Sequence, residues 1–126
     1  AAMTACPSGW HLPTRDEWGA LAIAAGGTGT YGTGGTAGRK LKSTTGWNYY
    51  SDSYYGTDEF GFTALPGGFR FSGGGFYGAG DDGDWWMATE YGGGYAYGRY
   101  MSYGNDSVDE DGRGRGYAFS VRCVMD

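Results

Sequence analysis

Aliphatic side chains are scarce: four Leu, one Ile and three Val in 126 residues. Taken alone, that shortage belongs to disordered chains. Histidine occurs once, at His11, and cysteine twice. A second histidine to complete a Cys-His nucleophile pair is missing,. So is a Gly-x-Ser-x-Gly elbow,. Asp and Glu are plentiful, yet no spacing singles out a carboxylate pair for hydrolysis,. The chain is therefore not expected to be an enzyme, and no catalytic residue stands out. Basic clusters are also lacking, and the net charge is −5. That balance argues against nucleic acid and anionic membranes as partners. No apolar run approaches the roughly 18 residues of a membrane span, so no membrane insertion is expected. Ala1 to Ala5 carry no basic start followed by an apolar stretch, which reads as a mature or excised domain.

What is present reverses the first impression. The chain holds 5 Trp, 12 Tyr and 6 Phe. Each such ring buries on the order of 150–250 Å², so rings can build the core that aliphatics cannot. With 28 Gly and 3 Pro, many turns and short strands are expected and long helices are not. The length suits one domain, residues 1–126.

Cys6 and Cys123 lie almost at the two ends. Paired, they would clip the termini together and close a loop worth roughly 4.7 kcal/mol on the chain-entropy model. Unpaired, they would be two buried thiols. Pairing is the favoured reading, because the cores of small exported domains often need staples. It implies an oxidising location and neighbouring terminal strands.

Along the chain, Pro13 disfavours helix at Leu12. Thr14-Arg15-Asp16-Glu17 fits a capping box. Trp18, Leu21, Ala22 and Ala25 follow at helical spacing, and Gly26-Gly27 should end that helix,. Thr28 to Ala37 reads as a Gly/Thr loop. Ala37 to Ser43 reads as a short second helix with Leu41 inward. Phe60, Phe62 and Ala64 alternate, as do Phe69 and Phe71,. Tyr95 to Tyr103 is a strand candidate, and Tyr117 to Val124 is expected as the last strand. In the former, Tyr97, Arg99, Met101 and Tyr103 share one face and Ala96, Gly98, Tyr100 and Ser102 the other. Met101 is the longest aliphatic there, so its face should meet the core, with Glu90 as candidate partner of Arg99. In the last strand Phe119, Val121 and Cys123 share a parity that suits a core face.

Two stretches imitate nucleotide loops, Gly27 to Gly32 and Gly32 to Ala37. Both follow a helix instead of opening one after a strand, so neither carries weight. The acids of Asp81-Asp82-Gly83-Asp84 and of Asp106 to Asp111 could hold calcium. EF-hand spacing fails, since Ala118 stands where the final Glu should be. Solvated loop acids are the plainer reading, and no cofactor is expected apart from this calcium option. The most distinctive stretch is Tyr91 to Tyr117, whose 27 residues hold 8 Gly, 6 Tyr, 3 Arg, 3 Asp and 2 Ser. Tyrosine supplies rigid amphipathic contact area there, and Ser and Gly supply adaptable contacts, as in antibody paratopes.

Cys6-Pro-Ser-Gly-Trp-His-Leu-Pro-Thr14 with Asp16-Glu17-Trp18 closely resembles the opening of the Fibrobacter succinogenes major paralogous domain. So do GRKLKSTTGW (38–47), GFTALPGG (61–68), WWMATEY (85–91) and FSVRCVMD (119–126). The resemblance runs from end to end in order. It implies an α+β, C-type-lectin-like fold with two short helices, twisted antiparallel sheets and adjacent termini, exported to a bacterial cell surface. A bridge between the ends is similar to what Cys6 and Cys123 would make. The C-terminal pattern is also similar to variable proteins of diversity-generating retroelements, in which altered Asn codons yield ligand-facing residues. Within 91–117 only Met101 and Glu110 could not arise that way. The Glu-Pro-Asn and Trp-Asn-Asp motifs of calcium-dependent sugar-binding lectins are missing, and so is the cysteine pair of formylglycine-generating enzymes.

The resulting expectation is an extracellular adhesion or receptor-recognition domain. Its face is built from Tyr95, Gly98, Tyr100, Ser102, Asn105, Asp109, Asp111, Arg113 and Arg115. The tyrosines would stack, the two arginines would grip acidic groups and the acids would accept hydrogen bonds. The partner would be a protein or a glycan on another cell or particle. The alternatives are a carbohydrate-binding module that stacks sugars on its rings, and a structural spacer of a surface protein.

Overall fold

In the computed structural model, which describes residues 4–114 and 116–126, the chain enters through a two-residue strand, β1 (Trp10–His11). Helix α1 (Arg15–Ala24) follows. Its capping box forms as the sequence predicts: the Thr14 hydroxyl accepts from the Glu17 N–H at 3.2 Å, and Glu17 Oε1 accepts from the Thr14 N–H at 3.1 Å,. Trp18, Ala22 and Ala25 are buried. Two more two-residue strands, β2 (Gly27–Thr28) and β3 (Gly34–Gly35), pair antiparallel within the expected Gly/Thr loop. Helix α2 (Ala37–Leu41) is two residues shorter than expected. Lys42 turns extended, bridges to Ala64 and buries its stem. The Lys42 ammonium donates to the carbonyls of Tyr54 (3.0 Å) and Asn105 (2.7 Å), and burial draws its pKa down to about 8,.

No strand forms over 57–68. Asp58 and Thr63 take left-handed backbone angles, φ 47° and 56°. The Asp58 carboxylate accepts from both the Thr63 N–H and its hydroxyl, each at 2.7 Å. Phe60 is consequently exposed, while Phe62 packs edge-on against Trp18 at 5.6 Å. Strands β4 (Phe69–Arg70) and β5 (Phe76–Tyr77) pair antiparallel.

The largest sheet is antiparallel, with β6 (Asp82–Gly92), β7 (Tyr95–Ser102) and β8 (Asp109–Gly114) in that order. The register sets Trp85 opposite Arg99 and Arg99 opposite Glu110. This row and Met101 face the core, as the parity of β7 predicts. Trp18, Trp47 and Trp85 form that core with Leu41, Met87, Met101, Val108 and four alanines, and Tyr55, Phe62, Tyr97 and Tyr103 pack against it half-buried. The carboxylate facing Arg99 is Glu110, its cross-strand neighbour at 3.8 Å, and not Glu90. Glu110 also pairs with Arg15, whose guanidinium lies over the rings of Tyr31 (3.7 Å) and Tyr97 (4.3 Å).

Residues 117–124 do not form one strand. Ala118 bridges to Arg70, Ser120 bridges to Trp85, and only β9 (Val124–Met125) is a strand, paired antiparallel with β1. The segment passes between two sheets, so no single parity governs it. Phe119 turns away from the core and stacks on Trp86 at 4.3 Å, and Val121 is exposed. Cys6 and Cys123 form a disulfide beside the β1–β9 pair, with Cα atoms 5.8 Å apart. His11 joins the same corner: Nδ1 lies 2.6 Å from Asp126 and Nε2 2.8 Å from Glu17. The architecture is mixed α/β with two short helices and small antiparallel sheets.

Candidate functional site

Side chains alternate across a pleated sheet, so the face of β6–β8 opposite the core carries Asp82, Asp84 and Trp86, then Gly98, Tyr100 and Ser102, then Asp109, Asp111 and Arg113. Asp84 stands opposite Tyr100, and Gly98 opposite Asp111. A cavity of about 200 Å³ opens on this face, lined by Asp82, Asp84, Gly98, Tyr100, Asp111 and Arg113 and walled by Phe69 and Phe119.

Four of the residues chosen from sequence meet in it. Gly98 acts by what it lacks: a Cβ there would stand 2.6 Å from the Phe119 ring. Its bareness lets that ring lie close to the sheet, against Trp86. Tyr100 is half-buried, and burial with the Asp109 and Asp111 charges raises its pKa. Asp111 accepts from the Gly112 N–H at 2.8 Å and pairs with Arg113. The Arg113 fork is thus partly engaged from within.

The others stand apart. Tyr95 sits on the Tyr97 side of the sheet, where its ring and that of Tyr97 flank Tyr91 at 6.5 and 5.0 Å. The Ser102 hydroxyl accepts from the Gly104 N–H. Asn105 turns its side-chain oxygen to the Ser107 N–H at 3.1 Å and gives its carbonyl to Lys42, so it holds the turn after β7. Asp109 is cross-strand from Tyr100 and accepts from the Ser107 hydroxyl at 2.8 Å. Arg115 lies outside the described residues.

Asp82, Asp84, Phe69 and Phe119 were not among the residues expected on the binding face, although Asp82 and Asp84 belong to the acidic run read as a calcium option. Asp84 is 9% exposed, and its carboxyl accepts no hydrogen bond from any described residue. Burial first, and the Asp82 charge second, raise its pKa to about 7 against a weaker opposing pull from Arg113,. Asp82 is raised in the same way, by burial and by Asp81. The spacing of Asp82 and Asp84 before Trp85-Trp86 was the available signal: alternation places both acids on one face if the strand begins at 82. The run Asp106 to Asp111 is not a loop throughout, since β8 begins at Asp109. Among the described residues no three acidic, His or Cys side chains gather closely enough to hold a metal ion.

With this geometry in view, comparison with known proteins gives one match: the family model of the Fibrobacter succinogenes major domain covers residues 1–125. The chain belongs to that family. No curated protein and no solved structure matches it. As a Fibrobacter succinogenes major domain, the chain carries its end-to-end disulfide and its three-stranded sheet within the matched region. Among the described residues no helix is long and apolar enough to cross a membrane.

Proposed function

We propose that this domain is an extracellular recognition module that seats a ligand on the outer face of β6–β8, in the cavity between Asp84, Tyr100, Arg113 and Phe119. One observation carries the reading. Residues singled out for their paratope-like chemistry converge with Asp84, a nine-tenths buried carboxyl to which none of the described residues donates. A buried polar group without a partner costs free energy, and a ligand group is the natural means of satisfying it. We assign the architecture to the C-type-lectin-like class, supported by the clipped termini, the two short helices and the β-rich C-terminal half. Display on a bacterial cell surface is supported by the disulfide, which persists in oxidising surroundings,.

A second reading rests on a different observation. Phe71, Phe76 and Tyr77 are exposed beside Phe69, Tyr117 and Phe119, with ring centroids 5.1–6.5 Å apart among Phe69, Phe71, Tyr77, Tyr117 and Phe119. Such a cluster offers stacking planes to sugars, which favours a carbohydrate-binding module. Arrays of glycans and of bacterial surface proteins, probed with wild type and with Tyr100→Ala/Arg113→Ala, test both readings. The double variant should keep its fold and lose its array signal by at least about tenfold. An undiminished signal would remove the cavity from the binding site, and loss only from Phe71→Ala/Tyr77→Ala would move the site to the rings.

A further inference from the structure

Among the described residues the charge inside the cavity is unbalanced. Asp111 and Arg113 neutralise each other. Arg99 borders the cavity but sends its guanidinium to the opposite face, where it donates to the carbonyls of Val108 and Tyr31. Asp82 and Asp84 remain, and no hydrogen bond reaches either carboxyl from a described residue. Asp84 is nine-tenths buried and aimed into the space. Two strand residues on one face are about 6.5–7 Å apart along the backbone. Among the described residues no third acidic, His or Cys side chain gathers with Asp82 and Asp84 closely enough to hold a metal ion, whereas a polyatomic cation reaches separate oxygens through its own N–H groups at about 2.8 Å. The wall opposite is aromatic, Phe69 and Phe119, and aromatic faces attract cations and cover alkyl stems. At about 200 Å³ the space has room for one side chain.

Resting on the binding-face reading above, we propose that the cavity takes a single basic side chain, arginine or lysine, of a protein partner. The cationic head sits between the Asp82 and Asp84 carboxylates, and its stem lies against Phe119 and Phe69. Charge complementarity chooses this occupant over an acidic one: Arg113 is partly engaged by Asp111, whereas Asp82 and Asp84 have no cation paired with them among the described residues. Asp84 is faced by Asp82 on its own strand, by Tyr100 across the ladder, and by Asp111 and Arg113 on β8. Over the physiological range Tyr100 stays a neutral phenol, so the acids of β6 set the pH response.

The test uses the intact disulfide-bonded domain, labelled with 15N. Its probes are Nα-acetyl-arginine methylamide and Nα-acetyl-lysine methylamide, with Nα-acetyl-glutamine methylamide, glucose and glucosamine as comparisons. At pH 8 the two cationic amides should shift the amide signals of Asp84, Gly98 and Tyr100, and the glutamine amide should not. Asp84→Asn and Asp82→Asn should each weaken that binding by about tenfold, the scale of one charge-assisted hydrogen bond. Lowering the pH to 5 should weaken it as well, because Asp84, with its pKa near 7, then loses its charge. Spectral dispersion reports folding for each variant. Equal shifts from the glutamine amide would overturn the cation assignment and leave the binding face standing. Shifts from glucose or glucosamine without shifts from the peptides would transfer the cavity to the carbohydrate reading. An unmoved cavity with every probe, or an affinity unchanged in Asp84→Asn, would overturn the proposal, while the array experiment decides the binding face independently.

Discussion

Asp84 concentrates the tension of this site in one residue. Its folded-state pKa, about 7, lies well above the ordinary 3.8. The native state therefore keeps a proton that the unfolded chain releases between about pH 4 and pH 7, and stability falls as pH rises through that window. Above pH 7 the penalty is complete, on the order of a few kcal/mol for a shift of this size. Asp84→Asn should raise the urea midpoint at pH 8, and the gain should vanish by pH 4. Equal midpoints for variant and wild type at both pH values would show that the carboxyl is well solvated. A residue that weakens the fold and strengthens a site is the trade-off expected of a binding position. Gly98 is a second case of a residue understood only by its surroundings. As a glycine in a strand, it reads from sequence as a contact point; in place, it is the gap that admits the Phe119 ring.

Among the elements, α1 was legible in the sequence and β8 was not. A capping box is a local device spanning four residues, and helical spacing of Trp18, Leu21, Ala22 and Ala25 needs no distant partner to be seen,. Asp109–Gly114 has no apolar alternation, because its core-side positions are Glu110 and Gly112. Its inward side is polar and ionic. Glu110 lies between Arg15 of α1 and the fully buried Arg99 of β7, and so ties β8 to the rest. Glu110→Gln should destabilise the protein by about 3 kcal/mol, since it leaves buried cationic charge unpaired. A urea titration measures this, and a loss under about 1 kcal/mol would show that the two arginines find other partners. The same logic explains why Arg99 was placed correctly by parity yet given the wrong acid. Alternation fixes a face within one strand, whereas partnership across strands depends on register.

For the molecule as a whole, the disulfide sets the frame. It spans 117 residues of separation and fastens the β1–β9 pair. Reduction, or Cys6→Ser/Cys123→Ser, should cost about 4–5 kcal/mol by removing the constraint on the unfolded chain. Urea unfolding with and without reductant measures the cost, and coincident curves would mean that the termini are held by hydrogen bonds alone. Several features of this protein follow from its sequence without the fold. They are the capped first helix, the tryptophans that supplement scarce aliphatics in the core, and the inward face of β7 marked by Met101. Each depends on composition or on neighbours within a few residues. The site was decided elsewhere. Only the tertiary structure brings Asp82 and Asp84 beside Tyr100, Asp111 and Arg113, turns Phe119 outward, and sends Tyr95 and Asn105 elsewhere. Those outcomes depend on strand register, on the β8 pairing and on a terminal segment that passes between two sheets, and such long-range packing leaves no local pattern to read.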